Sequence, residues 1–303
     1  MLKGSIHPLV KEMPMKKTLM IPLILVLLLL CGCAAQPSAQ IAATTLPVYE
    51  FTARLCQDTP LTVTRLVTEQ VSCLHDYTLK VDQVKALQAA QTVVLSGAGL
   101  EDFLEDLLTQ TDAIDASSAV SLLEMEMLEH DHHEGHVHDH DPHIWLSPAN
   151  AAAMARTIAD GLTARYPAYT DTFQANLDTL LGDLDVLQAY GKETLSNLSC
   201  RELMTFHDGF SYFAQCFDLT ILEAVEEESG SEASAKELIH LIELVRSHSL
   251  PAVFTEKSGS TSAAGIIARE TGCQVFTLDM AMAGDSYFDA MYHNIDTIKE
   301  ALG

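Results

Sequence analysis

Hydrophobic and polar residues alternate along this chain between two kinds of segment. Apolar runs of three to seven residues are typical of buried strands, and the longer stretches between them repeat apolar residues every three or four positions, as amphipathic helices do. The predicted strands are 41–45, 61–67, 92–95 and 113–115 in the first half, and 202–206, 219–223, 252–255 and 274–278 in the second. Helices are predicted at 82–91, with Asp82 as the N-cap, at 101–108, and after the Ser234–Glu237 capping box.

This alternation predicts an α/β fold of two lobes, each a mostly parallel four-stranded sheet flanked by helices. Between the two groups of strands lies the longest helical pattern, whose apolar residues are Phe173, Leu177, Leu180, Leu184 and Leu187. We expect one long rigid helix at 168–197 to join an N-terminal lobe, 41–167, to a C-terminal lobe, 198–303. At about 1.5 Å per residue, this helix spans roughly 40 Å, the length of a two-lobed molecule. The alternative is an ordinary amphipathic helix within one lobe.

The N-terminus carries the pattern of an export signal. Two lysines precede an apolar run of 12 residues, 19–30, which is too short to span a bilayer and is typical of a signal peptide. A leucine three positions before Cys33 and a glycine directly before it match the pattern at which lipoproteins are cleaved. We therefore expect residues 1–32 to be a signal peptide with a spurious N-terminal extension, and residues 33–40 to be a lipidated Cys33 and a spacer. The alternative is an uncleaved anchor helix.

The charge of the chain is strongly negative. It has 17 basic residues against 42 acidic ones, and its formal net charge is −25. Such a field repels nucleic acid and anionic lipid headgroups, and it attracts cations. We therefore expect no nucleic-acid partner.

The cysteines do not form a metal-binding motif. None of the seven is spaced as CxxC, which argues against a cysteine zinc site. Five remain beyond the leader and the lipidation position: Cys56, Cys73, Cys200, Cys216 and Cys273. Their apolar neighbours indicate buried thiols, and their odd number leaves at least one without a disulfide partner.

Histidines are concentrated in one short segment. Seven of the 13 fall within residues 130–143, interleaved with acidic residues: His130, His132, His133, His136, His138, His140 and His143. Because its one apolar side chain is Val137, the segment cannot bury itself, and we expect a mobile loop. Imidazoles and carboxylates together favour zinc or a similar borderline ion. The first six histidines are therefore predicted to form an auxiliary metal-binding loop. A loop without metal affinity is the alternative.

Four residues, of which His143 also belongs to the His-rich segment, stand at the ends of predicted strands or in loops beside those ends: His75, His143, His207 and Asp279. Two come from each half, and open α/β sheets bind ligands at the carboxyl ends of their strands. Three imidazoles and one carboxylate form a four-coordinate shell of the kind that Zn²⁺ accepts. Glu256, directly after the strand at 252–255, is a competing acidic ligand or a supporting partner of one. A single histidine at a strand end is more often a structural residue, so the joint placement is what favours a metal site.

At these residues the chain resembles the cluster A-I family of solute-binding lipoproteins, which serve ABC importers of zinc and manganese. The likeness also covers residues 96–104, 143–148 and 206–213. It implies two α/β lobes joined by one long helix, and it aligns the family's four metal ligands with His75, His143, His207 and Asp279. The His-rich loop and the histidine at the third ligand position resemble the zinc-transporting members. The loop around His75 departs from the family pattern, since it has no proline.

The resemblance implies an extracytoplasmic receptor, not an enzyme, that binds Zn²⁺ and delivers it to the permease of an ABC importer. We expect a monomer anchored to the outer leaflet of the cell membrane by lipid on Cys33. One alternative is a receptor of the same fold that binds Mn²⁺ or iron. Another is a zinc hydrolase, but no HExxH motif is present, and four protein ligands leave no coordination position for water. A surface adhesin is a third alternative, which nothing beyond surface exposure favours.

Overall fold

Eight strands form where the sequence predicts them, and they make two sheets. In the N-terminal lobe, β1 (Gln40–Ala43), β2 (Thr62–Arg65), β3 (Thr92–Leu95) and β4 (Ala113–Asp115) pair in the order β2-β1-β3-β4. In the C-terminal lobe, β5 (Glu202–Thr205), β6 (Thr220–Ala224), β7 (Ala252–Glu256) and β8 (Gln274–Leu278) pair in the order β6-β5-β7-β8. Every pairing among these strands is parallel. The predicted α/β fold with two four-stranded sheets is therefore confirmed.

The computed structural model describes residues 40–69, 71, 74, 77–108, 113–124, 140–225 and 234–303. Several sequence predictions lie outside these residues: the signal peptide 1–32, Cys33, His75 and residues 130–139 of the His-rich loop. Among the described residues, no helix has both the length and the hydrophobicity needed to cross a membrane.

Helices follow or cover the strands. Within the described residues they are α1 (Leu46–Leu55), α2 (Val81–Ala89), α3 (Glu105–Leu108), α4 (Pro148–Arg165), α5 (Thr170–Thr194), α6 (Ser211–Cys216), α7 (Ala235–His248), α8 (Ser262–Thr271) and α9 (Tyr287–Leu302). Short 3₁₀ turns at Asp102–Leu104, Ile144–Leu146, Pro167–Tyr169 and Asp208–Phe210 precede four of these helices. The predicted helix at 101–108 is thus a 3₁₀ turn followed by the single turn of α3.

Capping decides where two of the helices begin. Helix α2 starts one residue earlier than predicted, because Lys80 rather than Asp82 is its N-cap. The backbone N–H of Lys80 donates to the side-chain oxygen of Gln83 (2.8 Å). Helix α7 begins as predicted, since the backbone N–H of Ser234 donates to the Glu237 carboxylate (2.6 Å) and completes the capping box.

The central strands of both sheets are buried on both faces, because their alternate residues pack into different cores. In β1, Ile41 and Ala43 pack into the largest core, whereas Ala42 packs into a smaller core on the opposite face. In β5, Leu203 joins the largest core and Met204 joins a third core beneath α7 and α8. The inner faces of the two sheets therefore contribute to one continuous core that extends through both lobes.

Helix α5 runs through this shared core. It packs against α1 and α4 of the N-terminal lobe and against α9 of the C-terminal lobe. Its apolar stripe is buried as the spacing predicted. The helix is shorter than the predicted 168–197, because residues Pro167–Tyr169 form a 3₁₀ turn and the helix ends at Thr194. Its 25 residues span about 38 Å. The described lobes belong to one compact unit, residues 39–303.

Gly191 allows α5 to approach the C-terminal lobe closely. A Cβ at Gly191 would lie 2.3 Å from Cε1 of Phe217 and 3.1 Å from Cδ1 of Ile295, and both of these side chains are buried. We predict that Gly191→Ala lowers the free energy of unfolding by about 1–3 kcal/mol through overpacking, although alanine favours helices.

Gly182 provides the matched control for this prediction, because it lies in the same helix and nothing lies within 4 Å of its Cβ position. Gly182→Ala should raise the free energy of unfolding by up to about 1 kcal/mol. Urea unfolding followed by circular dichroism measures both variants, and equal effects at the two positions would contradict the packing explanation.

Candidate metal centre

His207 lies just beyond the carboxyl end of strand β5. Strand β5 lies between β6 and β7 in the sheet. The chain leaves β5 toward β6 and leaves β7 toward β8, in opposite directions along the sheet, which creates a crevice at the carboxyl ends of β5 and β7. The hydroxyl of Thr205 donates to the carbonyl of His207 (2.8 Å), and His207 is the N-cap of the turn Asp208–Phe210. The His207 side chain is 13% exposed. The end of β5 thus presents a nearly buried imidazole at the edge where ligands bind.

His143 reaches the same place from the N-terminal lobe. It directly precedes the turn Ile144–Leu146 and is 1% exposed. One oxygen of Asp141 accepts hydrogen bonds from the backbone N–H and from the ring Nδ1–H of His143, each at 2.9 Å. Asp141 therefore fixes the backbone and the ring of His143 together. The sequence had grouped Asp141 with the acids of the His-rich loop.

The rings of His143 and His207 meet with their planes 81° apart. Their Nε2 atoms are 3.4 Å apart and their centroids 5.0 Å apart. Because a carboxylate only accepts hydrogen bonds, Nδ1 of the neutral His143 ring carries the hydrogen, and Nε2 presents a lone pair toward His207. Two nitrogens bound at about 2.0–2.1 Å to a tetrahedral zinc ion lie about 3.3–3.4 Å apart. The pair therefore has the separation of two ligands of one ion.

Asp208 completes a group of three candidate ligands. Among the residues that the structure describes, His143, His207 and Asp208 form the one set of His, Cys, Asp and Glu side chains whose ligand atoms all lie within 4.8 Å of one another. The sequence prediction missed Asp208. Asp208 directly follows His207, and its side chain can lie beside the imidazole only because the chain turns at Asp208–Phe210. That turn was not predicted.

The surroundings of His143 favour positive charge. Burial by itself lowers the pKa of the His143 ring, but the hydrogen bond and charge of Asp141, with the charges of Asp208 and Glu256, outweigh burial and raise that pKa. The buried Oδ2 of Asp141 has no hydrogen-bond partner within the described part of the chain. The carboxylates that stabilise a proton on the ring also stabilise a divalent cation beside it.

Asp279 lies at the end of β8 and is held by several hydrogen bonds. Its Oδ1 accepts the backbone N–H of Ala281 (2.8 Å). Asn294 fixes its backbone, accepting from the N–H of Asp279 and donating to its carbonyl, both at 2.7 Å. Its Oδ2 accepts from Nζ of Lys257 (3.0 Å). Asp279 and Glu256 do not belong to the group of three, so their role as ligand or supporting partner stays a prediction.

A cleft beside Asp279 includes Met280, which lies near the histidine pair. Its lining includes Val71 from the N-terminal lobe and Glu256, Lys257, Asp279 and Met280 from the C-terminal lobe. Met280 follows Asp279 in the chain and lies close to the His143 ring. A Cβ built on Gly209 would lie 2.4 Å from Cε of Met280 and 2.8 Å from Cγ of His143. Met280 therefore links the cleft that Asp279 lines to the surroundings of the His143 ring.

The remaining predicted site residues are only partly described. Outside the described residues lie Cys33, His75, His130, His132, His133, His136 and His138. His140 is described: its backbone bridges to Glu124, and its buried Nδ1 has no hydrogen-bond partner among the described residues. Leu74, directly before His75, is buried in the shared core.

Comparison with known families and proteins gives consistent matches. The model of a family described as zinc-uptake complex component A, periplasmic (ZnuA), matches residues 41–301. The zinc-binding lipoprotein AdcA of Streptococcus pneumoniae serotype 4 is 30% identical over 307 aligned positions, which cover 94% of this chain and 61% of that protein. The chain therefore spans less than two thirds of the length of this relative.

Solved structures share the fold. A structure described as ZnuA is 31% identical, with a TM-score of 0.76, and the match covers 88% of this chain and 100% of the other. The structure of Zn(II)-bound AdcA from Streptococcus pneumoniae is 26% identical, with a TM-score of 0.74, and the match covers 88% of this chain and 58% of the other.

Gly209 allows the close approach at the histidine pair, and this yields a prediction. In Gly209→Ala, the flexible Met280 can move away from the new Cβ, but the His143 ring is buried and held by Asp141. We expect the displaced ring to weaken zinc binding by on the order of 10-fold, because a site tolerates displacements of only about 0.5 Å. Isothermal titration calorimetry measures the affinity.

Gly265→Ala is the control for Gly209→Ala, since nothing lies within 4 Å of the Gly265 Cβ position in helix α8. This variant should bind zinc as the unmodified chain does. An unchanged affinity in Gly209→Ala, with the circular dichroism spectrum preserved, would show that the His143 ring is not part of the binding site.

Proposed function

The chain belongs to the family of zinc-uptake complex component A proteins, and on that premise we propose that it is an extracytoplasmic receptor that captures Zn²⁺ between its lobes and delivers it to an ABC importer. Zn²⁺ is the cargo, and the protein catalyses no reaction. The observation that carries this proposal is the 3.4 Å separation of the Nε2 atoms of His143 and His207, which come from different lobes.

The donor atoms around the histidine pair suit zinc. Two imidazole nitrogens with the Asp208 carboxylate in reach make a mixed nitrogen and oxygen shell. Imidazole suits Zn²⁺, whereas Mn²⁺ is better matched by carboxylate, carbonyl and water oxygens. We propose that Asp279, from the adjoining cleft, and His75, which lies between β2 and α2 in the sequence, complete a four-residue shell with the histidine pair, with Asp208 beside it.

The number of ligands separates a receptor from a zinc hydrolase. A catalytic zinc keeps one position for a water or substrate, whereas a shell of four protein side chains is closed. We propose the closed shell, since Asp279 lines a cleft whose wall includes Met280, which lies near the His143 ring. A bound zinc that carries an exchangeable water would instead favour the hydrolase.

The location and partners follow from the same family. We propose that lipid on Cys33 holds a monomer at the outer face of the membrane, next to the permease that receives the metal. Support comes from the name of the relative, a zinc-binding lipoprotein. The net charge of −25 and the histidines of the loop 130–140 attract zinc toward the cleft.

We predict that the purified, metal-free protein binds one Zn²⁺ tightly at the histidine pair. His143→Ala and His207→Ala should each lower this affinity by more than about 100-fold, because each removes a ligand. Changes to residues that only support a ligand cost about 10- to 100-fold. Calorimetry with a competing chelator measures the loss, and competition with Mn²⁺ tests the choice of metal.

Two controls separate this tight site from other histidines. His240→Ala changes an exposed histidine on α7 and should leave the affinity unchanged. Deletion of residues 130–139 should remove weak sites and keep the tight one. Loss of tight binding on that deletion, or its survival in both ligand variants, would place the main site elsewhere.

Asp141→Asn tests how the His143 ring is oriented. The amide oxygen can still accept from Nδ1–H, but the negative charge that strengthens the ring nitrogen as a ligand is lost. We expect zinc to bind about 10- to 100-fold more weakly. Asp185→Asn, on the exposed face of α5, makes the same change of charge and should have no such effect. Equal affinities of the two variants would exclude this role for Asp141.

A further inference from the structure

Lys257 pairs with the predicted carboxylate ligand of the cleft. Its backbone N–H donates to the carbonyl of Leu278 (3.0 Å), which places its side chain beside the end of β8. Its Nζ donates to Oδ2 of Asp279 (3.0 Å), while Oδ1 of Asp279 already accepts the backbone N–H of Ala281. The ammonium group therefore occupies Oδ2, the oxygen of Asp279 that accepts no backbone N–H.

The two partners of this ion pair differ in exposure. The side chain of Asp279 is 12% exposed and that of Lys257 is 59% exposed. A carboxylate this deeply buried needs a compensating charge. An ammonium on a flexible, largely exposed stem supplies that charge and loses little when it withdraws into solvent. The pair is therefore suited to form in the metal-free protein and to break when a stronger cation arrives.

Lys257 is not needed to position Asp279. Asn294 makes two hydrogen bonds of 2.7 Å to the backbone of Asp279, and Ala281 holds its Oδ1. These contacts come from α9 and from the turn after β8, and they do not involve Lys257. Removing the charge of Lys257 should therefore leave the Asp279 carboxylate in its position, with no ammonium group paired to it.

We propose that Lys257 is a built-in competitor of the metal ion, which neutralises Asp279 in the metal-free protein and must be displaced before Asp279 can bind Zn²⁺. This inference rests on the proposed zinc function and on Asp279 as a ligand. A tethered single charge competes with a monovalent ion on equal terms, whereas a divalent ion gains about twice the Coulomb energy. Lys257 therefore selects for divalent charge and moderates the affinity, so that the ion can be passed on.

The test is a gain of affinity, which loss of a structural contact would not produce. Lys257→Gln should bind Zn²⁺ about 2- to 5-fold more tightly in a competition titration, the size expected for removing one partly exposed ion pair. Lys257→Arg keeps the charge and should show no gain. Lys236→Gln makes the same change of net charge at an exposed position of α7, and it corrects for long-range attraction.

A double-mutant cycle locates the effect at Asp279. In the Asp279→Asn background, Lys257→Gln should give no gain beyond that of Lys236→Gln, because no carboxylate remains to compete for. The inference is wrong if Lys257→Gln binds zinc no more tightly than the unmodified chain, or if the gain is equal in both backgrounds. Either outcome leaves the proposed zinc function standing. If the unmodified chain binds no zinc, the proposed function fails and the inference fails with it.

Discussion

The shared core between the two sheets is the constraint on which the site depends. The inner faces of both sheets are apolar and become buried only by packing on α5 and its neighbouring helices. Separating the lobes would expose that surface to water, at roughly 25 cal/mol for each Å² of apolar area. The lobes are therefore held in one arrangement. Because His143 belongs to one lobe and His207 to the other, the packing that joins the lobes also sets the distance between the two imidazoles.

Hydrogen bonds across the lobes refine this arrangement next to the site. The indole N–H of Trp145 donates to the carbonyl of Met280 (2.7 Å), and the hydroxyl of Tyr287 donates to the carbonyl of Trp145 (2.8 Å). All of these groups are buried, and leaving one of them without a partner would cost about 1–3 kcal/mol. The segment that carries Asp279 is thereby tied to the segment that carries His143. A site built in this way has the ligand spacing of zinc before the ion arrives, which reduces the reorganisation needed to bind it.

The sequence predicted the fold more completely than the site. Strands and helices repeat with periods that a linear pattern records. The same pattern singled out His143 and His207, whose rings the structure brings together. The partners of these histidines depend on turns that the pattern does not encode. A 3₁₀ turn brings Asp208 next to His207, and Asp141 accepts a hydrogen bond from the ring of His143, two residues further along the chain. Lys257 pairs with Asp279, 22 positions further along the chain, and neither residue type nor spacing indicated that contact.

The two carboxylates near the histidine pair differ in what holds them. An oxygen of Asp208 lies within 4.8 Å of a nitrogen of each imidazole, whereas Asp279 has an ammonium on one of its oxygens. The two imidazoles and Asp208 are three candidate ligands, the number that a catalytic zinc site uses, whereas a shell of four protein ligands is closed. Release of Asp279 from Lys257 is one way in which the shell can close. The ion pair at the edge of the cleft therefore bears on the same property, the number of protein ligands, that separates a metal receptor from a metal-dependent hydrolase.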